Sequence, residues 1–155
     1  MTWELAANIA TALAGTVALL GAPFAYLTYR RSVRTRRAEW LVSLHEQFFE
    51  TERYAQVRRL LDYREEPLYS QLVQAVASGT HAPLTDEFYR YLNFFELLAT
   101  LRVLGEISDH EIMGLFEYDL KMLTAHPFIL EALPAQGFER LPQMLRATKL
   151  LPKRS

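Results

Sequence analysis

Residues 5–29 read LAANIATALAGTVALLGAPFAYLTY, and residues 30–37 read RRSVRTRR. The first stretch contains no charged side chain, and five arginines follow it almost at once. A helix rises ~1.5 Å per residue, so about 20 apolar residues cross a hydrocarbon layer of ~30 Å. The sequence therefore predicts a membrane-spanning helix in residues 1–29 and a basic juxtamembrane collar in residues 30–38.

The charges on either side of this stretch predict the orientation of the span. Lysine and arginine are retained on the cytoplasmic side of a membrane, and only Glu4 carries a side-chain charge before the span. We expect the N-terminus outside, the remainder in the cytoplasm, and the collar arginines among lipid headgroups. A cleaved signal peptide would instead have its basic residues before the apolar run. The collar arginines are Arg30, Arg31, Arg34, Arg36 and Arg37.

Small side chains share one face of the predicted span when residues are placed at ~100° per step. This small-residue stripe consists of Ala7, Thr11, Gly15, Ala18 and Ala22. In lipid, helices associate through close approach of their backbones, which small residues at four-residue spacing permit. The stripe predicts a helix–helix contact in the membrane, either with a second copy of the chain or with a partner membrane protein. The alternative is that alanine is simply common in such spans.

Residues 39–155 show helical apolar periodicity and no strand alternation, which predicts a cytoplasmic all-α domain, a compact bundle of five to six helices. A segment over 39–50 can continue directly from the span. Residues 80–84 are predicted to form a loop, after which Thr85 or Asp86 caps the next helix. The other predicted helices cover residues 52–63, 68–77, 87–104, 109–125 and 141–150, with a short helix that follows a break at 126–127 and runs through residue 133.

The predicted helix over 87–104 has apolar side chains around most of its circumference, and only a helix surrounded by others can bury so many. We therefore expect it at the centre of the bundle. Gly105 is predicted to end it in a left-handed conformation, and Ser108 with Glu111 to form a capping box for the next helix. The apolar set is Phe88, Tyr91, Leu92, Phe94, Phe95, Leu97, Leu98, Leu101 and Leu104.

Composition and motifs argue against several functional classes. Only Glu4 of the 18 acidic residues precedes the collar, and five of the 17 basic residues lie in it, so residues 38–155 carry a net charge of −5. An acidic domain does not favour nucleic acid as a partner. The absence of cysteine excludes thiol chemistry, and the four histidines form no His-x-x-x-His pair. No phosphate-binding loop or nucleophile elbow is present, so we expect no metal, no cofactor and no enzyme activity.

The polar residues on the predicted central helix define a candidate interhelical site. Glu96 and Asn93 lie on one polar strip, and Arg58 or Arg59 on an earlier helix could pair with Glu96. Such a pair would fix the register of the two helices. If it faced a cavity, it could bind a small charged ligand.

Several segments together resemble a known family. After the predicted span and the collar come WLVSLHEQFF (40–49), RRLL (58–61), NFFELL (93–98) and GEI (105–107). This order resembles a family of small bacterial proteins with a membrane anchor and a helical domain of unknown function, over roughly residues 25–135. The resemblance implies a single-pass protein of the bacterial inner membrane and supplies no activity.

Three functional hypotheses remain open on the sequence. The first is a membrane-anchored interaction or regulatory protein that presents its helical domain to a cytoplasmic partner. The second is a small membrane effector of a stress or phage response, whose oligomerised spans perturb the bilayer. The third is a ligand sensor or an unrecognised enzyme with its site near Glu96. The partner, the ligand, the oligomeric number and the physiological trigger have no signal in the sequence.

Overall fold

A computed structural model describes the backbone of residues 2–50 and 52–152, together with the side chains of residues 3, 25–50, 52 and 54–152. This part of the chain contains seven helices and no strand, which confirms the predicted all-α class. The helices are α1 (Thr2–Glu50), α2 (Glu52–Tyr63), α3 (Leu68–Ser78), α4 (Pro83–Val103), α5 (Asp109–Ala125), α6 (Pro127–Ala135) and α7 (Arg140–Ala147).

The chain forms two compact units, residues 1–44 and residues 45–155. Within the described residues, we find no helix that combines the length and the apolar character needed to cross a membrane. The side chains of residues 4–24, where the sequence places the span and the small-residue stripe, lie outside the description. The second unit contains α2–α7 and the last residues of α1.

Helix α4 lies at the centre of the second unit, where it packs against α2, α3 and α7. Most of its predicted apolar face is buried, and Leu98 has no exposed surface. Two members of the predicted core are exposed instead, Leu97 by 48% and Leu104 by 65%. The neighbouring helices leave an open strip on α4 that contains Leu97 and Leu104, so the apolar circumference of α4 predicts more burial than the structure shows.

Aromatic rings of α4 and α5 meet around Phe48 of α1, which has no exposed surface. Its ring stacks on Phe94 at a centroid distance of 4.6 Å and meets Phe95 and Phe116 edge-on, each at 5.4 Å. Tyr91 lies 5.7 Å away. Aromatic pairs in these geometries contribute ~0.5–1.5 kcal/mol each beyond the burial of their area. The last turn of α1 is thereby part of the core of residues 45–155.

The N-terminus of α4 differs from the sequence prediction. The helix begins at Pro83, whereas the sequence predicts a loop over 80–84 with Thr85 or Asp86 as the cap. Proline suits the first helical position because its missing N–H would have no partner there. Thr85 lies inside the first turn, where its buried hydroxyl accepts from the Ala82 N–H at 2.8 Å. Because alanine has no side-chain acceptor, Thr85 supplies the only side-chain cap at this end.

Two predicted helix boundaries are confirmed. Gly105 has φ +77°, and the N–H of the following Glu106 donates to the Leu101 carbonyl at 2.9 Å, which closes α4 with a left-handed turn. Ser108 and Glu111 form the predicted capping box of α5. The Ser108 N–H donates to the Glu111 carboxylate at 2.8 Å, and the Glu111 N–H donates to the Ser108 hydroxyl at 3.3 Å.

The adjacent residues Leu97 and Leu98 test the position of α4. We expect Leu98→Asp to unfold the second unit, because a buried, unpaired carboxylate costs several kcal/mol out of a total stability of ~5–15 kcal/mol. Leu97→Asp, the same change on the open strip, should alter stability by less than ~1 kcal/mol. Urea unfolding of the full-length protein, followed by circular dichroism, measures both. Equal effects of the two changes would contradict the packing described for α4.

Candidate functional site

Glu96 on α4 caps the N-terminus of α7. Its carboxylate oxygens accept from the backbone N–H groups of Arg140 at 2.9 Å and Leu141 at 2.7 Å. The residue at the N-cap position, Glu139, makes no side-chain cap of its own. The first N–H groups of a helix have no partner within that helix, and a negative charge there is favoured by the helix dipole. Glu96 therefore joins α4 to α7 through the backbone of α7.

Arg58 on α2 has the complementary role at the C-terminal end of α1. Its guanidinium donates to the carbonyl of Phe48 at 2.8 Å and to that of Phe49 at 3.1 Å. It also lies over both rings, with centroid distances of 5.1 Å and 5.0 Å. These carbonyls belong to the last turn of α1, where helical partners are missing. A positive charge at a helix C-terminus is favoured by the dipole, and a guanidinium over aromatic rings by cation–π attraction.

The three residues of the predicted interhelical site therefore do not form one site. Glu96 bonds to the start of α7, Arg58 bonds to the end of α1, and Asn93 is exposed on α4. The interhelical role expected of Glu96 is present, but its partner is backbone instead of an arginine side chain. Arg59 pairs with Glu65 at 2.9 Å on the surface. All five collar arginines are exposed on α1.

Asp119 on α5 is a buried carboxyl group that the sequence analysis missed. Its side chain is 3% exposed. Burial raises the pKa of Asp119 to about 6, although the positive charge of Arg58 acts in the opposite direction. The charge of Asp62 on α2 adds to the increase in the pKa. Asp119 also contributes, after burial itself, to raising the pKa of the buried Tyr91 hydroxyl.

The helical spacing of α5 contains a signal for Asp119. The apolar residues Ile112, Phe116, Leu120 and Leu123 are all buried on one face of α5. Position 119 follows 116 by three and 112 by seven residues, which is the spacing of that same face. An aspartate at a core position of an amphipathic helix is rare unless it is paired or neutral. The sequence thus marks Asp119 as a buried acid, but it does not identify Arg58 as the neighbouring charge.

His126, between α5 and α6, is a second buried polar group. Its Nε2 lies 3.0 Å from the Leu61 carbonyl and its Nδ1 lies 2.8 Å from the Tyr69 hydroxyl. A carbonyl can only accept, so Nε2 carries the proton and Nδ1 accepts from Tyr69 in the neutral ring. Burial lowers the pKa of His126, which favours this neutral form. Both nitrogens are used in joining α2, α3 and the α5–α6 junction, so neither is available to a ligand.

The surface of the second unit contains open grooves and little reactive chemistry. The larger described groove, of about 490 Å³, lies along α2 and the turn that follows it. Its only arginine is already paired with Glu65. The groove is lined by Glu52, Ala55, Gln56, Arg59, Leu60, Glu65 and Leu68. Among the described residues, no group of three His, Asp or Glu side chains could hold a metal ion.

Comparison with family models, with curated proteins and with solved structures gives no match to this chain.

The Glu96 contact predicts a measurable contribution to stability. Glu96→Ala should lower the free energy of unfolding by ~1–2 kcal/mol, because two N–H groups of α7 lose a charged acceptor. Glu96→Gln, which keeps one acceptor oxygen, should lose about half as much. Asn93→Ala, one turn away on the same helix and exposed, should change stability by less than ~0.5 kcal/mol. Urea unfolding measures these changes in stability. A Glu96→Ala protein as stable as the wild type would contradict the capping of α7 by Glu96.

The raised pKa of Asp119 predicts a pH-dependent stability. The native state keeps a proton on Asp119 that the unfolded chain releases near pH 3.8. The contribution of this side chain to the free energy of unfolding is therefore complete below pH 3.8 and is lost as the pH rises through about 6. The loss is on the order of 1–2 kcal/mol, less than the full ~1.4 kcal/mol per pKa unit because solvent screens part of the interaction.

We expect the free energy of unfolding of Asp119→Asn to rise by that amount relative to the wild type between pH 4 and about pH 7. Urea unfolding at several pH values measures this difference. His126 has the opposite dependence, since its lowered pKa means that stability is lost as pH falls, but it affects both proteins equally. Asp86→Asn, the same change at an exposed position, should show no such gain. A difference in the free energy of unfolding between Asp119→Asn and the wild type that does not vary with pH would contradict the raised pKa of Asp119.

Proposed function

We propose that this chain is a single-pass membrane-anchored interaction or regulatory protein. In this proposal residues 1–29 span a bacterial inner membrane with the N-terminus outside, and residues 39–155 are presented to a partner in the cytoplasm. The observation that carries it is the uncharged stretch over 5–29 followed at once by five arginines. The helical backbone of α1, from Thr2 to Glu50, includes that whole stretch and supports the proposal.

The use of polar residues in the second unit supports an interaction role over catalysis. Glu96 and Arg58 bond to helix ends, and His126 joins three segments through both ring nitrogens. By contrast, Leu97 and Leu104 are large apolar side chains left exposed on the open strip of α4. Exposed apolar side chains grouped on one face are typical of protein interaction surfaces. We propose no cofactor, metal or nucleic acid for this function.

Assembly within the membrane is the second part of the proposal. The small-residue stripe Ala7, Thr11, Gly15, Ala18 and Ala22 would allow close approach of two spans. The partner span belongs either to a second copy or to another membrane protein. Only association with a second copy would bring two helical domains together.

A topology experiment tests the proposed orientation. We expect a phosphatase reporter, active only in an oxidising compartment, to be silent when fused after Ser155. Replacing all five collar arginines with glutamine should invert or scramble insertion and make the reporter active in part of the molecules, because arginine on the cytoplasmic side sets the orientation.

The matched control replaces five basic residues of the second unit with glutamine and should leave the reporter silent. The control positions are Arg59, Arg90, Lys121, Arg140 and Arg146. A reporter active after Ser155 in the unchanged protein would overturn the orientation. Recovery of the unchanged protein in the soluble fraction after lysis would overturn the anchor.

A further inference from the structure

We propose that the collar binds the phosphate-bearing headgroups of anionic phospholipids, with Arg30, Arg34 and Arg37 at the centre of the binding surface. This inference rests on the proposed membrane anchor and adds to it a lipid partner. The lipid-binding inference states which lipids surround the helix. The proposed anchor and its orientation state only whether and in which direction the chain crosses the bilayer.

The placement of the arginines around α1 defines the surface. At ~100° per residue, Arg30, Arg34 and Arg37 fall within an arc of about 60°. Arg31 and Arg36 flank that arc on its two sides. All five side chains are exposed, so the surface is open to a ligand from outside the helix. Positive charge therefore covers more than half of the circumference of α1 over two turns.

The chemistry of this surface matches a layer of phosphate groups. A guanidinium donates two parallel hydrogen bonds to a phosphate and keeps its charge at every physiological pH. Residues 30–37 rise about 10 Å along the helix, close to the ~5–8 Å depth of one headgroup layer. No acidic residue lies between Glu4 and Glu39 in the sequence, so the collar itself carries only positive side-chain charge.

The residues beside the collar favour lipid over other polyanions. Tyr26 and Tyr29 are exposed on the turn that precedes the arginines, and tyrosine is enriched at the boundary between headgroups and acyl chains. The uncharged stretch over 5–29 leads directly into this turn. An acidic second unit, by contrast, would repel a nucleic acid extending beyond the collar.

Energy transfer from a single tryptophan tests the inference on the full-length protein. The chain has two tryptophans, so Trp3→Phe leaves Trp40, two residues beyond the collar, as the only donor. The protein is placed in phosphatidylcholine vesicles with a small fraction of acyl-pyrene phosphatidylglycerol or acyl-pyrene phosphatidylcholine. The vesicles have the same composition in both leaflets, so the orientation of the chain does not affect the result.

We expect phosphatidylglycerol to be enriched about fivefold over phosphatidylcholine around the helix, and the enrichment to fall in high salt. The variant R30Q/R34Q/R37Q should lose it. R90Q/R140Q/K149Q removes the same charge from exposed positions of the second unit and should keep it. Alkaline carbonate extraction shows which preparations are inserted in the bilayer.

The outcomes separate this inference from the proposed anchor. An inserted protein with equal transfer to both lipids, or with equal loss in the two triple variants, overturns lipid binding and leaves the anchor standing. Collar-dependent binding of duplex DNA without a lipid preference likewise overturns it. A chain that alkaline carbonate strips from the vesicles overturns both the anchor and the lipid surface.

Discussion

Burial of the Phe48 ring is the constraint on which the second unit depends. Rings of α4 and α5 close around it, so the end of α1 is enclosed in apolar surroundings. Its carbonyl, in the last turn of α1, has no donor within that helix. Arg58 provides that donor and places a positive charge near Asp119. Burial of one ring and capping of one helix end thus occur together, and the charge of the capping residue also acts on the buried acid.

Polar side chains also form structural hydrogen bonds at other helix ends. Glu96 holds the start of α7, Thr85 closes the first turn of α4, and His126 accepts and donates between segments distant in sequence. In each case a side chain bonds to a backbone group or to another structural side chain. Buried polar groups must be satisfied in this way, because an unpaired one costs ~1–3 kcal/mol. These three side chains are therefore accounted for by the architecture of the unit.

Much of the secondary structure was predictable because its signals are local. The periodicity of α2 and α5, the left-handed Gly105 and the Ser108–Glu111 box each involve residues within one or two turns of one another. The predicted start of α4 is wrong because proline is typical both of loops and of the first helical turn, and Pro83 occupies the first turn. Leu97 and Leu104 were wrongly placed in the core because periodicity does not show which faces the neighbours leave open.

The candidate site shows which features the sequence determined and which depended on the tertiary structure. The sequence alone determined the all-α class, the left-handed end of α4, the capping box of α5 and the polar strip carrying Glu96, because these features depend on neighbours a few residues away. Only the tertiary structure decided that Glu96 meets the start of α7, 44 and 45 residues further along, and that Asp119 lies near Arg58. Helical spacing tells which face of a helix a residue occupies, but the packing of the whole unit determines what lies opposite that face.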